Sequence, residues 1–276
     1  MRNLTLDEVR HAVDAADLEG WEPGLTDADA FYAADPEGFF GLELDGRIVA
    51  TISAVRCSDR VTFLGFYIVS LEDRGEGYGK RLWDEVLGRS EASTLAGDAV
   101  PEQLTNYESE GFAVAHRNAR FTLAQAPDSV VECEKLVEAI EVEFDRLVEF
   151  DGAHCFGPRP EFLSAWIEGD GRDAMVMVGD DGEILGFAAS RKTSIGHRIG
   201  PVFCREAAQA RALITTLARR VGGAVSVDIP LSNAEAVSLC AELGMVKSFE
   251  TARIYRGEVP KLPLTQVFGI TSLELG

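Results

Sequence analysis

The run Arg74-Gly75-Glu76-Gly77-Tyr78-Gly79-Lys80 sets three glycines between two cations. An apolar stretch precedes it (Val61, Phe63, Leu64, Phe66, Tyr67, Ile68, Val69) and a helical one follows (Leu82, Trp83, Val86, Leu87). A strand is therefore expected to end in a glycine turn that opens a helix. Such a turn aims unpaired backbone N–H groups at one point, beside the positive end of the helix dipole, which suits a pyrophosphate. Gly77 and Gly79 permit close backbone approach, while Arg74 and Lys80 can neutralise phosphate charge. The pattern is not that of a P-loop. It also lacks the leading glycine of the dinucleotide fingerprint and the acidic ribose anchor that follows about 20 residues later. Taken alone it also fits an ordinary tight turn capped by glycines.

The elements around this turn can be read from periodicity. Helices are expected over Leu6 to Leu18 and Asp27 to Ala34, then a β-hairpin from Phe39–Leu44 to Ile48–Val55 across the turn Asp45-Gly46. The strand Val61 to Val69, the glycine turn, a helix Gly77 to Arg89, a short strand Thr94 to Ala96, a helix Pro101 to Glu110 and a strand Val114 to Leu123 complete a unit. The second half repeats the order. Helices are expected over Val130 to Phe150 and Arg159 to Glu168, and a hairpin from Met175–Val178 to Ile184–Ser190 around Asp180-Asp181-Gly182. A strand Gly200 to Phe203, a helix Glu206 to Val221, a strand Ala224 to Asp228, a helix Ala234 to Leu243 and a strand Lys247 to Tyr255 follow. Two copies of one fold, 1–125 and 126–276, are expected, divided in the Pro-containing polar stretch Ala124 to Ser129.

Composition narrows the function classes. The chain has 276 residues, 46% of them hydrophobic, and no apolar stretch approaches the roughly 20 residues that span a bilayer. Met1 to Thr5 lead into an acidic segment rather than a signal sequence, so a cytoplasmic protein is expected. Five scattered cysteines (57, 133, 155, 204, 240) without a Cys-x-x-Cys pair argue against a disulfide framework or structural zinc, and four isolated histidines argue against another metal site. A formal charge of −20 disfavours nucleic acid and anionic membranes as partners. It mildly favours amine-bearing ones, although an acidic surface with 5 Lys against 21 Arg is also explained by solubility alone.

The hairpin, the strand ending at Val69 and the Arg-x-x-Gly-x-Gly turn are followed by Asn106-Tyr107-Glu108-Ser109-Glu110-Gly111-Phe112. Together they resemble the GCN5-related N-acetyltransferase (GNAT) family, and the whole chain resembles a tandem subgroup with a degenerate second copy. The resemblance implies an α/β (α+β) fold of two GNAT-like domains, each a mixed, mostly antiparallel sheet flanked by helices. It implies transfer of an acetyl group from acetyl-CoA to a primary amine of a small molecule by direct attack on the thioester, in a monomer or homodimer. A non-catalytic acyl-CoA-binding regulatory module and a purely structural tandem domain are the alternatives.

By the same resemblance, Ile68, Val69 and Ser70 hold the pantetheine arm, and Arg74, Gly75, Gly77, Tyr78, Gly79 and Lys80 hold the pyrophosphate, with Asn106 beside them. Tyr107 falls where relatives protonate the departing thiolate, a task that a phenol of pKa about 10 can perform. Leu71, where many members have proline, and the acids Glu72-Asp73 depart from the pattern. The amine also needs a base, for which Asp98 is the leading candidate against a plain helix-capping role. Trp21 and Glu22 are expected on the acceptor side, and Arg198 and Arg253 are further candidates for acceptor contact, with a domain-interface ion pair as the alternative for Arg253. In the second copy Cys240 aligns with Tyr107, and the stretch Cys204 to Ala210 has no glycine, so a single cofactor site in the first copy is expected.

Overall fold

The computed structural model describes residues 1–126 and 135–276. A short strand β1 (Arg2–Asn3) leads into helices α1 (Leu6–Leu18) and α2 (Asp27–Ala34). Thr5 starts α1 with a reciprocal cap: its hydroxyl accepts from the Glu8 N–H, and the Glu8 carboxylate accepts from the Thr5 N–H at 2.9 Å. Strands β2 (Phe39–Leu44) and β3 (Arg47–Arg56) form the expected hairpin. Asp45 and Gly46 both have positive φ, 51° and 79°, giving the turn whose twist matches paired strands. Then come β4 (Val61–Val69), α3 (Tyr78–Leu87), β5 (Thr94–Ala99), α4 (Leu104–Ser109) and β6 (Ala113–Leu123).

The second half runs through β7 (Lys135–Glu138), α5 (Phe144–Gly152), α6 (Pro160–Glu168), β8 (Arg172–Val178), β9 (Ile184–Lys192) and β10 (His197–Cys204). It continues through α7 (Ala207–Val221), β11 (Val225–Pro230), α8 (Ala234–Glu242) and β12 (Val246–Arg256). Each element has its counterpart in the first half, and a short β13 (Val267–Gly269) is extra. One sequence expectation is corrected. Within the span 130–150 expected as a single helix, residues 130–134 lie outside the described residues, 135–138 form β7, and the helix begins only at Phe144. Lys135 to Glu138 pair along β8, from Lys135 opposite Val178 to Glu138 opposite Met175, and this tertiary pairing overrides the apparent helical period. Pro127 to Ser129 of the expected inter-copy stretch, and Cys133, also lie outside the described residues.

The strands join in one sheet with the order β1-β2-β3-β4-β5-β12-β6-β11-β10-β9-β8-β7, and β13 pairs separately with β10. Neighbours are antiparallel except β4 with β5 and β10 with β11. The last strand of each copy is inserted into the other: β12 lies between β5 and β6, and β6 between β12 and β11. Charged pairs mark both crossings. Arg253 on β12 stands opposite Asp98 on β5, and Arg120 on β6 stands opposite Asp228 on β11, so the two copies meet around a pseudo-twofold relation. Helices α2 and α6 add a shared core in which the rings of Phe31 and Trp166 stack 6.0 Å apart. Buried Asp27 on α2 takes hydrogen bonds from Arg172 at 3.0 Å and Arg191 at 2.9 Å, both from the second half.

Candidate active site

Strands β4 and β5 are paired only from Val61–Leu64 to Thr94–Gly97 and then part. At the parting point Phe66 has φ 47° and the β3–β4 register shifts, so a bulge turns β4 away from its neighbour. The gap is a cavity of about 340 Å³. One wall is β4 from Leu64 to Val69, and another carries Trp83, Gln103, Tyr107 and Phe112. The second half closes it with Phe249, Thr251 and Ile254 of β12 and with Leu273 and Glu274.

The mouth of the cavity reaches Arg74. Gly75 and Gly77 have φ of 88° and 82°, conformations that suit glycine. A side chain at Gly79 would collide with the Tyr67 hydroxyl and with Val69, each 2.8 Å from the Cβ position, so this glycine lets α3 sit close against β4. The helical hydrogen bonding of α3 begins with the Arg81 N–H donating to Gly77 O at 3.0 Å. The amides of Tyr78, Gly79 and Lys80 thus have no partner within the helix. Arg74 donates through Nε to Val69 O at 3.0 Å and pairs with Glu19, while Lys80 pairs with Asp84. The acids Glu72 and Asp73 are both held by Arg47, at 2.8 and 2.7 Å, which offsets their charge next to the turn. These features suit a phosphorylated coenzyme: the turn offers open amides to a pyrophosphate, and Val69 and Ile68 line the way inward along β4.

Tyr107 lines the cavity, its ring 5.5 Å from Trp83 and 5.9 Å from Phe112. Burial, with a smaller contribution from Tyr67, pushes its phenol up to about 12, so the hydroxyl keeps its proton at neutral pH. Asn106 faces solvent and donates to Gln103 Oε1 at 2.7 Å, one residue away from the tyrosine. Asp98 reaches the cavity lining, yet Oδ1 accepts from Asn118 at 2.8 Å and from Arg253 Nε at 3.1 Å, and Oδ2 accepts from Arg253 Nη2 at 2.7 Å. Arg253 is spent on that pair. Arg198 likewise donates to Asp228 at 3.0 Å and to Glu22 at 3.2 Å. Trp21 lines the cavity, whereas the Glu22 carboxylate turns to Arg120 and Arg198. Trp21, Asp98 and Tyr107 therefore meet at one cavity, while Glu22, Arg198 and Arg253 form its ionic backing.

The second copy has the same parting of strands, since β10 and β11 pair only from His197–Ile199 to Val225–Val227. Here the gap is filled by β13, paired with β10 at Val202 and Phe203. The start of α7 caps itself: Gln209 Oε1 accepts from the Arg205 and Glu206 N–H groups at 3.1 and 3.2 Å, and Glu206 accepts in turn from the helix. Cys240, in the place of Tyr107, is buried and its thiol is pushed up to about 12 by desolvation.

Sequence reasoning missed Glu274. After β13 the chain runs back beneath the first cavity, with the Ile270 N–H donating to Asp228 O at 2.8 Å. A Cβ on Gly65 would lie 2.4 Å from the Glu274 carbonyl oxygen, so this segment presses against β4 where the strands part. The available signal was a single charged residue between Val267 and Gly276, without periodicity to place it. Among the described residues no group of three or more His, Cys, Asp or Glu is placed to hold a metal, and no helix is long and apolar enough to cross a membrane.

A parted strand pair and a glycine turn opening a helix, with the element order and the strand parting but not the glycine turn repeated in a second copy, define a tandem acyltransferase of the acetyl-CoA-using class. The chain belongs to the GNAT family: the acetyltransferase (GNAT) family model matches residues 6–99 and an acetyltransferase (GNAT) domain model matches residues 147–269. It is 30% identical over 275 residues to the holothin acyltransferase of Pseudoalteromonas sp. (strain SANK 73390), covering 99% of this chain and 92% of that protein. It is 24% identical to the uncharacterized N-acetyltransferase YitH of Bacillus subtilis (strain 168), over 86% and 85% of the two chains. Among solved structures, a putative acetyltransferase from Pyrococcus horikoshii shares the fold with a TM-score of 0.83 at 18% identity, over 100% of this chain and 95% of that one. A tandem GNAT protein from the clavulanic acid biosynthesis pathway shares it with a TM-score of 0.66 at 16% identity, over 94% and 98%.

Proposed function

We propose that the chain transfers an acetyl group from acetyl-CoA to a primary amine of a small molecule, at one site per chain. The observation that carries this reading is the cavity between β4 and β5, which runs from Arg74 at the head of the glycine turn to Tyr107, Asp98 and Glu274. Ile68, Val69 and Ser70 hold the pantetheine arm, and Arg74, Gly75, Gly77, Tyr78, Gly79 and Lys80 hold the pyrophosphate, with Asn106 at the rim. Bound there, the coenzyme supplies the activated thioester. Tyr107 keeps its proton until sulfur departs and then donates it from the phenolic oxygen. Of the acids on the lining, Glu19 pairs with Arg74 and Asp98 with Arg253, which leaves Glu274 as the one without an ion pair to meet a cationic acceptor.

Residues 1–125 provide the cofactor half of the site and 126–276 the acceptor wall, with Trp21 packed on the acceptor and Glu22, Arg198 and Arg253 holding that wall in place. Asp98 acts as a structural anion rather than the base. Both its oxygens are engaged by Arg253 and Asn118, and its counterpart Asp228 makes the same kind of pair with Arg120 in the copy without a coenzyme turn. The likeness to the holothin acyltransferase makes holothin the first acceptor to test.

Thiol release from acetyl-CoA across a panel of small amines tests the reading, together with Tyr107→Phe. Turnover is expected with at least one amine, and the variant is expected to lose about 100-fold in kcat while KM for acetyl-CoA changes little. Coenzyme binding without thiol release would instead favour the non-catalytic module. An unchanged kcat would remove Tyr107 from the chemistry.

A further inference from the structure

Three observations converge on Glu274. It lines the cavity at the end where β4 and β5 part, which is where a coenzyme arm entering past Ser70 and Ile68 brings its reactive end. The residue is only 3% exposed, and its Oε1 has no hydrogen-bond partner. It also belongs to a segment without a counterpart in the first copy, because the chain that plugs the second gap as β13 continues under the first and delivers this acid there. By contrast Asp98, the other carboxylate at the inner end, has its oxygens filled by Arg253 and Asn118.

Resting on the acyl-transfer reading above, we propose that Glu274 is the proton acceptor that frees the acceptor amine for attack. Its carboxylate takes one proton from the ammonium group. The C–N bond then forms as the C–S bond breaks, and the Tyr107 hydroxyl gives its proton to sulfur. The second proton lost by nitrogen returns to the tyrosinate, and the one on Glu274 leaves to solvent. The surroundings suit the task. Burial pushes the Glu274 carboxyl up to about 7, against the pull of Arg191 on β9 and Arg120 on β6, with Asp27 on α2 and Asp228 on β11 adding to the rise. An acid poised there changes protonation state within the working range of an amine-acylating enzyme.

The test is Glu274→Gln in the full chain, measured for coenzyme A binding, kcat and the pH dependence of kcat/KM with acceptors of differing basicity. A limb that belongs to Glu274 stays near neutral pH whichever amine is used, whereas one that belongs to the amine moves with it. The substitution is expected to lower kcat/KM about 100-fold, to leave coenzyme A affinity within about threefold and to abolish the fixed limb. Full turnover by Glu274→Gln with the limb intact would overturn the assignment while leaving the acyl-transfer reading in place. No thiol release by the unsubstituted chain with any amine would sink both. Should Glu274→Gln not fold, the unsubstituted chain still decides: a limb that shifts with amine basicity, and no fixed one, overturns the proposal. Glu274→Asp, if it folds, is expected to keep a fixed limb at reduced rate.

Discussion

Two carboxylates at the inner end of the cavity show how burial and partnering divide labour between like residues. Asp98 was legible in the sequence as an acid after a short strand, but its partner Arg253 lies 155 residues away and reaches it only because β12 enters the first copy. Removing that arginine would leave an unpaired buried charge, so the pair holds the strands in register whatever its part in catalysis. Glu274 has the opposite environment, burial without a hydrogen bond to its Oε1. The effect on stability follows in sign. Below the ordinary carboxylate pKa the acid is neutral in both folded and unfolded chains and has no pH effect. As pH rises from about 4.5 to about 7 the unfolded chain ionises first, so the folded state loses up to roughly 3 kcal/mol and does not recover it at higher pH. The melting temperature of the unsubstituted chain should therefore fall relative to that of Glu274→Gln across this window and run parallel to it above. Parallel curves throughout would mean that Glu274 titrates like an exposed carboxylate.

The turn before α3 and the turn before α7 start from the same topology and end in different functions. In the first, glycines at positive φ leave the helix amides open, while in the second the Glu206 carboxylate takes the Gln209 N–H and the Gln209 side chain takes the two amides just before the helix. A β-branched residue at Gly77 must adopt φ near 82°, at a cost of about 1–2 kcal/mol or more, or else rebuild the turn. Gly77→Val is accordingly expected to weaken coenzyme A binding at least tenfold, read by calorimetry, with a smaller loss of thermal stability. Unaltered affinity would show that the turn does not hold the pyrophosphate. The glycines themselves were readable from the sequence. Their openness was not, because it depends on which side chains in the neighbouring turn reach back to the helix.

At the scale of the whole molecule the exchange of last strands makes each copy depend on the other. Without the second half, β5 would lose its neighbour β12, and β6 would lose both of its neighbours. Such edges are open templates for aggregation. Residues 1–126 expressed alone should therefore aggregate or bind coenzyme A poorly, and co-expression with 127–276 should restore a soluble complex that binds it. A monomeric first half with full coenzyme affinity would refute the dependence. The sequence by itself determined the order of the elements other than β1, β7 and β13, its repetition, the hairpin turn and the glycine turn, since these rest on local periodicity, turn chemistry and neighbouring residues. Only the tertiary structure decided that β12 and β6 change places, that Arg253 meets Asp98, that β13 plugs the second gap and that Glu274 lies under the first. Each of these is a contact between segments far apart in sequence, chosen by strand pairing and by the demand of buried charges for partners, and no local pattern encodes either.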